Sequence, residues 1–143
     1  MASITAANAI FSLSINKLIT APQILYGFAA DDIFDTESLE IGEVMMGVDG
    51  FLSAGYVHTP VKQTISLMAD SPSMRLFEDW YKAQQASGEI YFAQGNVTLS
   101  SINRQYILTK GVMTNYSPIS DVKKLLQPRK FSLVWESVTG VQI

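Results

Sequence analysis

The sequence predicts a mainly β protein, an antiparallel β-sandwich or barrel with one packed α-helix. Apolar and polar residues alternate with a period of two in several segments, which is the pattern of half-buried strands. One segment, from about Ser71 to Gly88, has helical spacing instead. The 143 residues are enough for one domain with its own hydrophobic core. We therefore expect a single domain over residues 1–143.

The first part of the chain contains two predicted strands and a long acidic loop. In Asn8–Ile15, every second residue from Phe11 onward is apolar, and the serines between them point the other way. A second, short strand is predicted at Ile24–Phe28. Residues Asp31–Glu43 have no clean period and are acidic, so we predict a long loop or arm there.

A tight β-hairpin and a further strand are predicted next. Glu43–Val48 and Phe51–Val57 flank the dipeptide Asp49-Gly50, a preferred pair for two-residue hairpin turns. The segment Val61–Met68 alternates well. Its predicted buried face consists of Val61, Gln63, Ile65 and Leu67, and its predicted wet face of Lys62, Thr64 and Ser66.

The helix is predicted from its start, its apolar spacing and its end. Ser71 is a favourable N-cap, and Pro72 suits the first helical position. Gly88 is placed to end the helix. The apolar residues that recur at helical spacing predict an aromatic stripe facing a sheet: Leu76, Phe77, Trp80 and Tyr81.

Strands resume after the helix. The alternation predicts them at Glu89–Ala93, Asn96–Leu99, Arg104–Thr114 and Lys130–Ser137. Pro118 and Pro128 bracket a connecting segment between the last two strands. This segment carries the apolar residues Val122, Leu125 and Leu126.

Charged residues are few and are sorted along the chain. They make up 16% of the sequence, against about 25% in typical domains, so more of the surface must be apolar or neutral. No Lys or Arg lies between Lys17 and Lys62, a stretch that holds seven of the 13 acids. Bases cluster at Lys123, Lys124, Arg129 and Lys130. An acidic arm and a basic arm predict self-association in which opposite potentials fix the register.

Several function classes find no support in the sequence. Cysteine is absent and His58 is the single histidine, so a thiolate metal site or a Cys–His pair is excluded. The acids Asp31, Asp32 and Asp35 could ligate a hard cation, but their spacing is not that of a calcium loop. We expect no enzymatic activity, no cofactor and no metal. We also expect no membrane span, because no run of about 18 apolar residues exists.

Two features could contact nucleic acid, and each has a structural alternative. The basic cluster could bind phosphates, but the net charge of -3 and the few aromatics among the bases favour a salt-bridged or solvated loop. Trp80 and Tyr81 could stack on bases, but their helical spacing beside Phe77 is more typical of core residues.

The order of these segments resembles a known family. The stretches that carry the resemblance are GFAADDIFDTE (27–37), GVDGFLSAGYV (47–57), QTISLMADSPS (63–73), LFEDWYKAQQ (76–85) and LQPRKFSLVWESV (126–138). They are similar to tail tube proteins of contractile-tailed bacteriophages, and the resemblance covers nearly the whole chain.

The resemblance implies a structural virion protein with no catalytic role. Such proteins form stacked hexameric rings, and the rings make the hollow inner tube through which phage DNA is ejected without specific binding. The implied partners are further copies of the chain and the sheath, tape-measure, baseplate and terminator proteins. The implied location is the virion tail, assembled in the host cytoplasm.

The resemblance also suggests residue roles, and two other functions stay open. The lumen-facing candidates are Lys62, Thr64 and Ser66, and the inter-subunit candidates are Asp31, Asp32, Asp35, Glu37, Glu40, Lys123, Lys124, Arg129 and Lys130. One alternative is a tail terminator or another single-ring protein of the tail or neck. A second is a monomeric β-barrel that binds a small ligand in an apolar pocket under the helix.

Overall fold

The computed structural model describes residues 9–29 and 34–143. Its elements in chain order are β1 (Ala9–Ile15), β2 (Ile19–Ile24), β3 (Phe34–Thr36), β4 (Gly42–Met46), β5 (Leu52–Tyr56), β6 (Val61–Leu67), α1 (Met74–Ser87), β7 (Ala93–Leu99), β8 (Arg104–Asn115) and β9 (Arg129–Gln142). A short 3-10 turn at Ser100–Ile102 connects β7 to β8.

Seven strands form one antiparallel sheet, in the order β2-β1-β7-β8-β9-β6-β3. The other two, β4 and β5, form a separate two-stranded hairpin. Together with α1, this architecture confirms the predicted mainly β antiparallel fold with one helix. The hairpin around Asp49-Gly50 is also present, but residues 47–51 join its strands rather than a two-residue turn, so both strands are shorter than predicted.

The large sheet curls until its two sides approach each other. The N–H of Leu25 donates to the carbonyl of Phe11 on β1 at 2.8 Å, and the N–H of Met68, just after β6, donates to the carbonyl of Gly27 at 2.8 Å. The ring of Phe11 also lies edge-on to the ring of Phe34 on β3, with centroids 5.3 Å apart. The chain after β2 therefore links the two sides of the sheet and nearly closes it into a barrel.

A bulge in β8 interrupts its regular pairing with β7. The register between β7 and β8 shifts there, and Lys110 has a positive φ of 48°. Next to it, Gly111 lies directly beneath the ring of Trp135, and a Cβ at this position would clash with that ring. A glycine is therefore required for β8 to pass so close to the indole.

The core fills the inside of the curled sheet. Its largest fully buried side chains are Trp80, Trp135, Phe11, Phe77, Phe131, Leu13, Ile15, Ile65, Leu67 and Leu133. Gln63 lies among them, and its Oε1 accepts a 2.9 Å hydrogen bond from Nε1–H of Trp135. The buried amide is thereby satisfied, which explains how β6 can carry a polar residue on its predicted inner face.

The helix has the predicted end and a different start. Gly88 adopts φ 72° and donates its N–H to the carbonyl of Gln84 at 2.8 Å, a left-handed C-cap as predicted. The N-cap is Ser73 rather than Ser71. The hydroxyl of Ser71 donates instead to the carbonyl of Tyr26 and accepts from the N–H of Ser73. It thereby connects the start of the helix to residues 25–29, the segment after β2, which we call the crossing chain.

Several strand predictions and one loop prediction need correction. The predicted strand Ile24–Phe28 lies earlier, at β2, and Phe28 forms only an isolated bridge with Leu67. Of the predicted strand Glu89–Ala93 only Ala93 lies in a strand, because β7 begins there and continues through the predicted strand Asn96–Leu99 while paired with β1. The predicted acidic loop at 31–43 contains β3, which pairs with β6 through its backbone. β9 extends further than predicted, to Gln142.

Candidate functional site

The most unusual surface of the chain is the β4–β5 hairpin, residues 42–56, which we call the apolar hairpin. Every residue of both strands is exposed. The exposed apolar side chains of the segment are Val44, Met45, Met46, Val48, Phe51, Leu52 and Tyr56. An isolated hairpin with no buried face has at best marginal stability in water, so this one needs a surface to pack on.

Local hydrogen bonds hold the apolar hairpin in shape. At the tip, Gly50 adopts φ 87°, and the N–H of Gly47 donates to the carbonyl of Phe51 at 2.8 Å. At the base, the Thr59 hydroxyl donates to the carbonyl of Glu40 at 2.7 Å. Turn chemistry and strand pairing thus set the local shape of the hairpin, while its apolar side chains remain exposed.

A second apolar surface lies on the segment between β8 and β9, residues 117–128, which we call the basic loop. Its exposed apolar side chains are Ile119, Val122, Leu125 and Leu126. Lys123 and Lys124 are exposed beside them. The loop is compact, because Val122 and Leu126 form an isolated bridge and the N–H of Gln127 donates to the carbonyl of Asp121 at 3.0 Å.

Arg129 anchors the basic loop to the helix. It is 6% exposed, and its guanidinium donates to Oε1 of Glu78 at 2.9 Å and to the hydroxyl of Tyr116 at 3.2 Å. It also donates to the carbonyl of Ser117 and lies 5.4 Å from the ring centroid of Phe131. Arg129 was predicted as an inter-subunit contact; that prediction is wrong for its side chain, because β9 points the residue inward under the helix.

The other predicted inter-subunit residues lie on the surface. Asp35, Glu37 and Glu40 are exposed on β3 and on the chain between β3 and the apolar hairpin, and Lys123, Lys124 and Lys130 are exposed in or next to the basic loop. Asp31 and Asp32 lie outside the described residues. The ion pairs found in residues 9–29 and 34–143 are Arg75–Asp79, Lys110–Glu136 and Arg129–Glu78. Within that part of the chain, the exposed acids and bases named here are therefore not paired with each other.

The outer face of β6 contains the predicted lumen residues. Lys62 is exposed, and Thr64 is half-buried in a shallow surface groove of about 330 Å³ that also includes Thr114 and Ser132. Ser66 is only 3% exposed, so the prediction that it shares this wet face is wrong for the subunit. The reason is the crossing chain after β2, where the N–H of Ala29 donates to the carbonyl of Ser66 at 3.0 Å.

The space under the helix is filled. The ring of Phe77 stacks on Phe131 with centroids 4.5 Å apart, and Trp80 is fully buried with Nε1–H donating to the carbonyl of Tyr91 at 3.0 Å. Among the described residues these side chains leave no space for a ligand there, and an open groove of about 440 Å³ lies beside the first turns of α1, between Leu76 and Ile24. An apolar cavity of about 250 Å³ lies instead inside the sheet, lined among others by Phe34 and Trp135.

The single histidine, His58, is engaged with an aromatic side chain. His58 packs edge-on to the ring of Tyr56, with centroids 4.7 Å apart. In the two described ranges, no three His, Cys, Asp or Glu side chains are placed to hold a metal ion. Across the same ranges, no helix is long and apolar enough to cross a membrane.

The curled sheet with its flanking helix is a fold known from contractile injection systems. A chain in the cryo-EM structure of the anti-feeding prophage cap, a tube-terminating cap, aligns with a TM-score of 0.66 and 13% identity, covering 100% of this chain and 93% of that chain. A chain in the extended sheath–tube complex of an extracellular contractile injection system, PVC, aligns with a TM-score of 0.63 and 13% identity, covering 99% and 93%. A chain in the PVC sheath/tube terminator gives 0.65 and 11%, covering 99% and 98%. At these identities the likeness establishes the fold.

The sequence places the protein in a phage tail family. The family described as tail fiber protein gp32 matches residues 2–139, so the chain belongs to this family. The comparison with curated proteins gave no match. The protein is therefore a structural component of a tail or contractile injection machine. The resemblance to contractile-tail proteins noted in the sequence is confirmed.

Proposed function

We propose that the protein is the tube subunit of a contractile tail. In this proposal, copies of the chain form hexameric rings, the rings stack into a hollow inner tube, and phage DNA leaves through the lumen without specific binding. The observation that carries the proposal is the apolar hairpin, which exposes large side chains such as Phe51 at 75% and has no buried face in the subunit. In the proposal, a second copy of the chain packs on these exposed side chains and removes them from water.

The sheet edges support assembly through the hairpin rather than through the large sheet. One edge strand, β2, contains Pro22, which cannot donate a backbone hydrogen bond. The other edge strand, β3, is only three residues long. Both are features that limit uncontrolled pairing. The hairpin strands have neither protection, so their free edges and side chains are available to a neighbouring subunit.

The charge distribution suits a conduit for DNA. β1, β2 and β7 contain no charged residue, so the outer faces of three neighbouring strands are neutral. The proposed lumen residues Lys62 and Thr64 lie on the outer face of β6 in the same sheet. With a net charge of -3, the chain as a whole does not attract a polyanion. On the proposed lumen face, Lys62 is the charged residue and Thr64 is neutral, so DNA would meet few charges that could hold it.

The remaining partners follow from this role and are part of the proposal. A stacked tube inside a contractile tail would contact the sheath on its outside, the tape-measure protein in its lumen during assembly, and baseplate and terminator proteins at its ends. Assembly in the host cytoplasm and incorporation into the virion tail belong to the same proposal.

Negative-stain electron microscopy of the purified protein tests the proposal. We expect stacked rings or tubes from the wild-type chain. A variant in which residues 42–56 are replaced by a short Gly-Ser linker should remain folded, as judged by circular dichroism, and should stay monomeric. A wild-type protein that is monomeric at high concentration, or a hairpin-deleted variant that still forms tubes, would contradict the proposal.

A tail terminator or another single-ring protein is the second candidate. It is favoured by the fold likeness to the cap and terminator chains, whose TM-scores of 0.66 and 0.65 are close to that of the sheath–tube chain at 0.63. The same micrographs separate the two candidates. Single rings that do not stack would favour the terminator, and long stacks would favour the tube.

A further inference from the structure

We infer that copies of this chain stack head to tail, with the apolar hairpin of one copy docked on the basic loop of the next. This inference rests on the proposed self-assembly and specifies the two surfaces that meet. The partner that covers both surfaces is a second copy of the chain. Three observations carry it: where the two surfaces lie, what side chains they expose, and how their charges differ.

The two surfaces lie at opposite ends of the subunit. β6 and β9 run antiparallel, with Val61 opposite Trp135 at one end and Leu67 opposite Arg129 at the other. The apolar hairpin leads into β6 just before Val61, and its base lies beside residues 136–138 of β9. The basic loop leads into β9 at Arg129. Strands rise about 3.3 Å per residue, so the two attachment points are roughly 20 Å apart.

In the single chain the hairpin does not cover the loop, because both hairpin strands and the loop residues Val122 and Leu125 are exposed. The hairpin leaves the sheet at the end remote from the loop. In a second copy placed above the first with the same orientation, the loop end of one subunit faces the hairpin end of the other. Both surfaces then lose their exposure through a single repeated contact.

The exposed side chains of the two surfaces match in kind. The hairpin presents Met45 and Phe51, each 75% exposed. The basic loop presents Val122 at 73% and Leu125 at 76%. Apolar side chains on both partners supply the desolvated centre that stable interfaces have. A charged rim around such a centre sets orientation and partner choice.

The charges around these apolar centres are opposite. Residues 37–58, which include the hairpin, contain four acids and no Lys or Arg: Glu37, Glu40, Glu43 and Asp49. The basic loop and the start of β9 expose Lys123, Lys124 and Lys130 against a single acid, Asp121. Head-to-tail docking therefore brings unlike charges together, whereas hairpin-to-hairpin and loop-to-loop docking bring like charges together.

A contact between two different surfaces of identical subunits does not close on itself. Such a heterologous contact repeats along one direction and builds an open stack unless a rotation closes it into a ring. The arrangement therefore accounts for growth along the strand direction, which distinguishes a tube from a single ring.

Charge reversal tests the inference. Variant one carries Lys123→Glu and Lys124→Glu, and variant two carries Glu40→Lys and Glu43→Lys. Each alone places like charges at the contact and should raise the concentration needed for stacking on the order of tenfold or more at low salt. Mixed together, they should stack again in alternation, because each offers the surface that the other lacks. Sedimentation and electron microscopy report both results.

A pair of charge reversals on α1 is the control for this experiment. Arg75→Glu with Lys82→Glu changes the net charge by the same amount on the exposed side of α1 and should stack like the wild type. Unimpaired stacking of either reversed variant, failure of the mixture to recover, or an equal loss in the helix control would overturn the inference while wild-type tubes still uphold the proposed function. A wild-type protein that never assembles would overturn both.

Discussion

At the scale of single residues, Trp80 has a role that the sequence left open. Its indole is fully buried between α1 and the sheet, and Nε1–H donates to the carbonyl of Tyr91. The neighbouring Tyr81 is different, because it is 37% exposed and stacks on Tyr116 at 4.3 Å. Base stacking by Trp80 is thereby excluded in the folded subunit.

The substitution Trp80→Ala should destabilise the subunit by about 3–5 kcal/mol, because it removes a buried aromatic side chain and leaves a cavity. Urea denaturation followed by circular dichroism measures this change. Tyr81→Ala is the matched control and should cost about 0.5–1.5 kcal/mol, the value of an aromatic pair. A fully stable Trp80→Ala protein that loses only DNA or ligand binding would contradict the structural role.

Substitution of Arg129 should destabilise the fold, whereas substitution of the neighbouring lysines should not. Arg129→Ala leaves Glu78, the Tyr116 hydroxyl and the Ser117 carbonyl without their partner. We expect a loss of about 2–3 kcal/mol in unfolding free energy, below the usual value for a buried pair because Glu78 is 39% exposed. Lys123→Ala with Lys124→Ala should change it by less than about 0.5 kcal/mol. Equal destabilisation by both, measured by urea denaturation, would disprove the distinction.

Residue positions were predictable where the alternation of one strand decides them. Gln63 faces the core as predicted, since its side follows from the period of β6. Ser66 and Arg129 were not predictable in this way. Ser66 is covered by a chain segment that crosses from far away in sequence, and Arg129 is buried because a helix packs over the start of β9. A single sequence contains no signal for such long-range contacts.

At the scale of elements, the strongest local signals gave the most accurate predictions. The hairpin turn has Asp49-Gly50, and the helix has a terminal glycine and an aromatic stripe, so both were predictable from short-range chemistry. β3 was missed, because three residues with polar neighbours show no period. The apolar residues of the hairpin and of the basic loop can be read from the sequence. Their exposure could not be predicted, because it depends on where the large sheet ends.

The apolar hairpin should contribute to assembly and not to folding. The double substitution Met45→Ser and Phe51→Ser should leave the unfolding free energy within about 0.5 kcal/mol of the wild type, because both side chains are already in water. The same variant should fail to form tubes. Thermal unfolding and sedimentation provide the two measurements. A large drop in stability would mean that the hairpin packs on its own subunit.

At the scale of the whole molecule, the assignment of the outer face of β6 to the lumen depends on how complete copies of the chain are arranged. A Thr64→Cys variant would carry the sole thiol of a chain without cysteine. In assembled tubes, this thiol should react with a small maleimide and be shielded from a maleimide on a bulky polymer, because the lumen admits only the small reagent. In dissociated subunits both reagents should react.

A Lys82→Cys variant on α1 is the control, and in tubes without sheath it should react with both reagents. Equal labelling of Thr64→Cys by the bulky reagent in intact tubes would place the outer face of β6 on the outside of the tube. The neutral outer faces of β1 and β7 would then be the remaining candidates for the channel wall.

The placement of the hairpin and the basic loop at opposite ends of β6 and β9 also gives any stack a direction. One terminus of the stack always presents hairpins without a partner, and the other always presents basic loops. A protein that starts the stack must offer the counterpart of one surface, and a protein that ends it must offer the counterpart of the other. The two termini therefore select different binding proteins, and growth from each of them proceeds at its own rate.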